Sequence, residues 1–329
     1  MKVWSLPKGP GRRSRRALLA GGITALAALN LPQLSWSQTP PPATAAIAVL
    51  FPDLGEPFRA IFTEIISGIE EQARQPVRSY PIGANHDMAE LAASLKRQQA
   101  KVVVALGRQG IKAASALDTP LGLVVSGVSS IPDGDRQVGI CLTPDPALLF
   151  AQLRSLVPAT RRVLVIYNPA HNQWLVRLAR EAARTLGLEL AAFEARDLAS
   201  AVRLYQSAFD GVEARGEALW LPIDPTTVDE TVILPLVLRE AWNRNVPIVS
   251  SSVLHVKKGA LFSLYPDSIE LGRSLADLAI EMLAGAPPTP GVTPLRSVHG
   301  ALNLRTASHF GIPITPRIQR AFRILHGDT

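Results

Sequence analysis

Cysteine is nearly absent from the 329 residues, and aromatic residues make up only 5% of them. The single cysteine, Cys141, excludes an internal disulfide and therefore a disulfide-stabilised scaffold. A hydrophobic content of 47% with 19% charged residues excludes a disordered chain. The composition is that of a globular protein, and the length suits two domains of about 150 residues each.

Acidic residues are missing from residues 1–37, which contain six of the 34 lysines and arginines. The rest of the chain holds 28 basic and 27 acidic residues, so the net charge of +7 resides almost wholly in the leader. A nearly neutral remainder gives no general affinity for phosphate backbones, and we expect no nucleic-acid partner.

The first 37 residues have the pattern of an export signal. A basic segment ends at Arg16, residues 17–31 are apolar, and Ser35 and Ser37 place small side chains at the −3 and −1 positions for cleavage before Gln38. The apolar segment is shorter than the roughly 20 residues that span a bilayer. Residues 14–19 resemble the twin-arginine export motif, and the general secretory route remains the alternative.

No cysteine lies near the predicted cleavage site, so we expect no lipid anchor. Residues 38–44 form a proline-rich spacer. The expected location is the periplasm, and the expected oligomeric state is a monomer.

From residue 45 onward, short apolar runs alternate with amphipathic helical patterns. Phe58, Ile61 and Phe62 begin a series with helical spacing, which predicts that they share one face of a helix. Continuous apolar strands separated by helices predict parallel strands buried on both faces. The pattern restarts after Pro158, so the predicted fold class is α/β with two doubly wound parallel-sheet lobes.

Ligands in such sheets bind beyond the carboxyl ends of strands, so the loops there define the candidate site. Arg108 could bind a ligand carboxylate, or could be a solvated arginine on a first helical turn. Asn168 could reach the cleft, or could serve only the turn. Trp174 and Tyr265 could cover an apolar ligand. The remaining candidates follow strands directly: Asp53, Gln109, Ser126, Asp224, Ser250 and Ser251.

Seven segments between residues 101 and 313 together resemble a known family. They are VLVIYNP (163–169), AARTLGLEL (182–190), LPID (221–224), VPIVSS (246–251), KGAL (258–261), DSIELGR (267–273) and NLRTASHFGI (303–312). Through these segments and their order, the chain resembles the ABC-transporter substrate-binding proteins of the type I periplasmic-binding fold. That family includes tryptophan and tyrosine binders.

The resemblance implies two lobes joined by a three-strand hinge, with crossovers near 142–145, 258–262 and 292–300. Lobe 1 would comprise residues 45–142 and 262–292, and lobe 2 residues 143–261 and 293–329. The implied partners are an amino-acid-like ligand and an ABC permease with its ATPase. Asp224 aligns with a family aspartate that could receive a ligand ammonium, although it could instead cap the next helix.

Two segments depart from the family pattern. Residues 51–55 replace a family segment that carries His-Pro and Leu-Asp, and residues 138–142 replace an Asn-Val-Thr-Gly segment. Both positions line the pocket in the family, so the resemblance carries over the fold and leaves the ligand open.

Enzyme motifs are missing from the sequence. It contains no His-x-x-x-His or Cys-x-x-Cys pair, no Walker loop and no Gly-x-Ser-x-Gly elbow, so we expect no catalysis, no metal and no cofactor. Two other roles remain open: a sensory or accessory protein that presents ligand to a membrane receptor, and a scaffold without a ligand.

Overall fold

The computed structural model describes residues 45–118, 120–129, 137–211, 216–286 and 288–327. The predicted leader and spacer, residues 1–44, lie outside this part of the chain. All described helices and strands belong to one compact unit, Ala43–Thr329.

Thirteen strands and eleven helices are described. The strands are β1 (Ile47–Pro52), β2 (Val77–Ile82), β3 (Val102–Leu106), β4 (Gly122–Ser126), β5 (Val138–Pro144), β6 (Arg162–Tyr167), β7 (Glu189–Glu194), β8 (Glu217–Leu221), β9 (Ile248–Ser250), β10 (Phe262–Pro266), β11 (Gly291–Leu295), β12 (Val298–Asn303) and β13 (Ile324–His326). The helices are α1 (Phe58–Ala73), α2 (Met88–Arg97), α3 (Gly107–Ser115), α4 (Pro146–Leu156), α5 (Pro169–Thr185), α6 (Leu198–Asp210), α7 (Ile233–Asn243), α8 (Val253–Lys258), α9 (Ser268–Leu283), α10 (Leu304–His309) and α11 (Pro316–Ala321).

The strands form two sheets, which confirms the predicted pair of α/β lobes. The first sheet has the order β11-β5-β4-β3-β1-β2, and the second has the order β13-β12-β10-β9-β8-β6-β7. Every pair in the first sheet is parallel. The second sheet departs from the prediction at one pair, because β12 runs antiparallel to β10. Strand β10 leads out of this lobe and β12 leads back into it, so the two strands run in opposite directions.

The predicted lobe boundaries are wrong by a few residues. Strand β10 pairs with β9 and β12, so the chain leaves the second lobe after Pro266 and not near residue 262. Strand β11 pairs with β5 in the first sheet as far as Leu295, so the return lies beyond residue 292. The first passage follows Pro144, the last residue of β5. The boundaries are misplaced because an apolar strand has the same composition in either sheet.

The three connecting segments lie side by side. The Asp145 N–H donates to the Leu295 carbonyl at 2.8 Å, and the Asp267 N–H donates to the Ser297 carbonyl at 3.0 Å. Arg296 and Asp145 also form an ion pair. The connections between the lobes are thus held together by backbone hydrogen bonds and one ion pair.

Three strands and the helices α4, α8 and α10 were not predicted from the sequence. Edge strand β2 is only partly buried and contains Pro81, so it has no continuous apolar run. Strands β11 and β13 are short outer strands of their sheets. Helix α11 ends at Ala321, and the chain then pairs with β12 through β13.

Other local features follow from the residue types at these positions. Asp197 caps α6, where its side chain accepts from the Ser200 N–H at 2.7 Å. Pro235 is the third residue of α7, where a missing N–H costs no helical hydrogen bond. Trp220 is buried in the core of the second lobe. Within the described residues, no helix combines the length and the apolar character required to cross a membrane.

Candidate functional site

A cavity of about 570 Å³ lies between the two lobes, at the carboxyl ends of their strands. The first lobe contributes residues that follow β3 and β4, and the second contributes the start of α5 and the loop after β8. We call this cavity the cleft. Its lining residues are Arg108, Gly127, Val128, Ser129, Thr143, Ala170, His171, Asn172, Trp174, Leu175, Ile223 and Pro225.

Arg108 enters the cleft from the first turn of α3. The preceding Gly107 and the facing Gly127 both have positive φ, at 66° and 74°, a region that favours glycine. A Cβ on Gly127 would lie 2.6 Å from the Gly107 nitrogen, so the close approach of these loops requires a glycine. Arg108 is exposed, and within the described ranges it has no ion-pair partner.

An apolar cavity of about 430 Å³ adjoins the cleft on the first lobe and shares Arg108 and Gly127 with it. Leu54, Phe58 and Ile61 line this cavity and remain 37%, 57% and 40% exposed. Phe58 and Ile61 lie on the predicted helix, but their side chains are not packed into the core. Both lie in the first turns of α1, where the helix borders the cavity instead of the sheet.

Asp224 is a fully bonded carboxylate. Its Oδ1 accepts from the N–H groups of Thr226 and Thr227 at 3.0 and 3.1 Å. Its Oδ2 accepts from the Asn168 N–H at 2.7 Å and from the Asn172 Nδ2 at 2.9 Å. With 3% of its surface exposed, Asp224 has no oxygen free for a ligand ammonium. These contacts fit the alternative role of Asp224 as a cap for the residues that follow it. Asp224 also links its own loop to the start of α5.

Asn168 serves the turn before α5. Its Oδ1 accepts from the Ala170 N–H at 3.0 Å, and its Nδ2 donates to Thr226 Oγ1 at 3.2 Å. Asn172, one turn later, donates to both the Ile223 carbonyl and Asp224. These contacts fix the start of α5, which then presents Ala170 and His171 to the cleft.

The three candidate serines also have contacts within the protein. Ser126 is buried, and its Oγ donates to the Ile140 carbonyl at 2.6 Å. Ser251 Oγ accepts from the Trp220 Nε1 at 3.2 Å. Ser250 is buried, and its Oγ lies 2.7 Å from His255 Nδ1 and accepts from the Ser252 N–H at 3.0 Å.

Ser250, His255 and Glu230 form a hydrogen-bonded chain that resembles a nucleophile relay. His255 Nε2 lies 2.8 Å from Glu230 Oε1. One neutral tautomer satisfies both contacts, with Nδ1 accepting from Ser250 and Nε2 donating to Glu230. Ser250 has no exposed surface, so a substrate cannot reach its hydroxyl. Burial lowers the pKa of His255 below its usual value, opposed by Glu230, and the chain acts as a structural contact between β9, α8 and Glu230.

The remaining candidates lie at different distances from the cleft. Gln109 borders the apolar cavity. Asp53 is exposed and lies 3.8 Å from Arg59. Tyr265 lies within β10, with its ring 5.6 Å from that of His299. Trp174 lines the cleft, and its Nε1 is buried without a hydrogen-bond partner among the described residues. The structure thus brings Arg108 and Trp174 to the cleft and Gln109 to its apolar edge.

Sequence reasoning missed several residues of the two cavities. Val128, Ser129 and Thr143 lie on loops and strand ends without a recognisable motif. His171 and Asn172 are adjacent residues of α5, and only the fold shows that both line the cleft. The apolar spacing along α1 identified one face of the helix. It did not show that Phe58 and Ile61, at the start of the helix, line a cavity.

Two α/β lobes with a ligand-sized cleft at facing strand ends define the type I periplasmic-binding proteins, and this structure has that fold. A substrate binding protein with adhesive properties from Clostridium difficile, in its ligand-free open form, matches with a TM-score of 0.62 and 15% identity over 86% of this chain and 100% of that chain. The ABC domain from Streptococcus pneumonia in complex with L-Trp matches with a TM-score of 0.51 and 17% identity over 85% of this chain and 99% of that chain.

A conserved domain protein from Vibrio cholerae is also similar, with a TM-score of 0.50 and 18% identity over 86% of this chain and 99% of that chain. These identities establish the fold alone. Residues 149–322, more than half of the chain, match the family model described as ABC transporter substrate binding protein. The chain belongs to that family, as the sequence resemblance implied. No curated protein matches the chain in sequence.

Proposed function

We propose that this protein is the solute-binding component of an ABC importer, and that it binds a small carboxylate-bearing molecule in the cleft. Amino acids are one group within this ligand class. The observation that carries the proposal is Arg108, an exposed guanidinium without an ion-pair partner among the described residues, at the edge between the cleft and the apolar cavity. A guanidinium binds a carboxylate through two parallel hydrogen bonds.

The helix ends near the cleft support an anionic ligand. Arg108 is the second residue of α3, and the first turn of α5 contributes Ala170 and His171 to the same cavity. The N-terminus of a helix carries a partial positive charge and favours anions nearby. Both lobes therefore direct positive potential at the cleft, in addition to the charge of Arg108.

Closure of the lobes is the proposed response to the ligand. Because the cleft is lined by both lobes, a ligand that contacts both favours the closed form and shifts the equilibrium toward it. We propose that the three connecting segments act as the hinge. Small-angle X-ray scattering checks this step, since the radius of gyration should fall when ligand is added and stay constant if the lobes are rigid.

The remaining parts of the proposal concern location and partners. A basic, apolar and small-residue leader over residues 1–37 supports export to the periplasm. There the closed form would be recognised by a permease coupled to a cytoplasmic ATPase. N-terminal sequencing of the exported protein checks the leader, and a mature chain that retains residues 1–37 would contradict it.

The test of binding is thermal unfolding of purified, ligand-free protein against a library of carboxylates, amino acids and sugars. A ligand at 100 times its dissociation constant adds about 2.7 kcal/mol to the free energy of unfolding. This corresponds to a rise of several degrees in Tm. Arg108→Gln should abolish the shift. The matched control is Arg97→Gln, which removes an exposed arginine of α2 that lines neither cavity.

A sugar that shifts Tm equally in wild type and Arg108→Gln would contradict the carboxylate assignment. No shift with any compound would contradict ligand binding itself.

A further inference from the structure

We infer that the cleft selects carboxylates that have an apolar body and no ammonium group, such as arylalkanoates, and that it discriminates against the corresponding amino acids. This inference rests on the proposed function and narrows its ligand class. Three features carry it: the arginine at the junction of two cavities, the bonding of Asp224, and the apolar cavity beside α1.

The junction places the charged end of the ligand. Arg108 and Gly127 line both the cleft and the apolar cavity, so the guanidinium stands where the two cavities meet. A carboxylate bound to Arg108 can therefore extend an attached group into either cavity. Trp174 also lines the cleft, and its Nε1 is buried and makes no hydrogen bond among the described residues.

An ammonium group would have no carboxylate to bind in the described part of the site. Neither cavity has an aspartate or glutamate among the residues described as lining it. Asp224, which lies between the lining residues Ile223 and Pro225, already accepts four hydrogen bonds from the protein. Asp53 is exposed and lies beside Arg59. With respect to the described residues, a desolvated ammonium near Arg108 would thus be an unpaired charge close to a like charge.

The apolar cavity accommodates the body of the ligand. Its volume of about 430 Å³ lies within the range of small-molecule sites. Leu54, Phe58 and Ile61 expose apolar surface to it, and Phe62 and Ile65 line it as well. A small molecule is the occupant that the geometry favours, because the cavity continues into the cleft at Arg108. Burial of these side chains against an apolar group removes them from water and favours binding.

The experiment is isothermal titration of the purified, ligand-free protein with two matched pairs. One pair is 3-phenylpropanoate and L-phenylalanine, and the other is indole-3-propionate and L-tryptophan. The members of each pair differ only in the α-ammonium group. The acid without the ammonium should bind about tenfold more tightly or better, which is the effect of one uncompensated charge or hydrogen bond. The amine 3-phenylpropylamine, which lacks the carboxylate, should show no binding.

Variants locate the two ends of the ligand. Arg108→Gln should weaken 3-phenylpropanoate at least about tenfold, as expected for loss of a charged hydrogen-bonded pair. Phe58→Ala should weaken it several-fold while leaving acetate unaffected. Both side chains are exposed, so the variants should keep the fold, and circular dichroism checks this. Arg97→Gln should bind as the wild type does.

The possible results separate the inference from the proposed function. If an amino acid binds as tightly as its ammonium-free partner and Arg108→Gln abolishes that binding, the inference is overturned and the proposed function stands. If 3-phenylpropanoate binds equally to wild type and Arg108→Gln, the inference is overturned because the site is elsewhere. If none of the four acids binds but a library compound does, the inference also fails. If nothing binds at all, both proposals fail.

Discussion

At the residue scale, the candidate acids of the site have opposite environments. Asp224 is buried and accepts four hydrogen bonds from two segments, whereas Asp53 is exposed and lies 3.8 Å from Arg59. Charged acceptors with several N–H donors contribute strongly to stability, while exposed ion pairs contribute little. The two acids therefore give a matched pair of substitutions.

Asp224→Asn should lower the free energy of unfolding by about 2–4 kcal/mol, because an amide NH₂ would face a backbone or side-chain donor. Asp53→Asn should change it by about 0.5 kcal/mol or less. Urea denaturation of the two variants measures both effects. An Asp224→Asn variant as stable as the wild type would show that these hydrogen bonds add nothing to the fold.

A second residue-scale prediction concerns pH. Burial holds the pKa of His255 below the ordinary histidine value, and Glu230 only partly opposes this effect. Below that ordinary value the unfolded state binds more protons than the folded state, so stability falls as the pH decreases. The loss should begin near the ordinary histidine value of 6.5 and continue down to the lowered pKa of the folded protein.

Denaturation at pH 7.5 and 5.5 should therefore show a larger loss for the wild type than for His255→Gln. The pKa of Glu230 is also lowered, chiefly by Lys258, and its contribution is lost in more acidic solution, as the pH falls below the ordinary glutamate value. Equal losses in the wild type and the variant would indicate that His255 does not titrate differently in the folded state.

At the element scale, α1 and α9 make a close helix contact on the first lobe. Gly68 faces Gly272, and a Cβ on Gly68 would meet the Ile269 carbonyl and lie 3.1 Å from the Gly272 Cα. The surrounding contact is apolar, with Ile65, Ile69 and Leu275 in one buried cluster. The chain enters the first lobe through α9, directly after strand β10 of the second lobe, so the contact between α1 and α9 fixes this segment to the first lobe.

Gly68→Ala should therefore destabilise the protein by about 1–3 kcal/mol, although alanine favours helices, because backbone atoms of α9 must move apart. Gly83→Ala is the control, since a Cβ there would contact nothing within 4 Å. Thermal unfolding should show a lower Tm for Gly68→Ala than for Gly83→Ala. The reverse order would mean that the two helices can separate without loss.

At the scale of the whole molecule, the chain passes between the two lobes three times. Strand β10 ends in the second lobe, α9 and β11 belong to the first, and β12 returns to the second. The connecting segments lie together, near Asp145, Asp267 and Arg296. The cleft begins beside this junction, since Thr143, two residues before Asp145, lines it. In the proposed function the ligand controls closure of the lobes about this junction.

The sequence by itself determined the alternation of strands and helices, and with it the two parallel α/β lobes. Strands such as β3 and β6 are short and almost wholly buried, and their continuous apolar runs are typical of parallel strands covered on both faces. Local caps such as Asp197 are also predictable from the sequence, because a capping interaction involves only neighbouring residues. The resemblance of seven segments further indicated the family that the match over residues 149–322 established.

Only the tertiary structure decided which polar residues are free. Asp224, Ser126 and Ser250 lie at or just after the ends of strands, as Arg108 does, yet each is hydrogen-bonded to a residue that is distant in the chain. It also decided that Phe58 and Ile61 border a cavity, since helical spacing defines a face but not what lies opposite to it. The physical reason is the same in both cases: occupancy depends on partners brought together by folding, whereas patterning depends on neighbours along the chain.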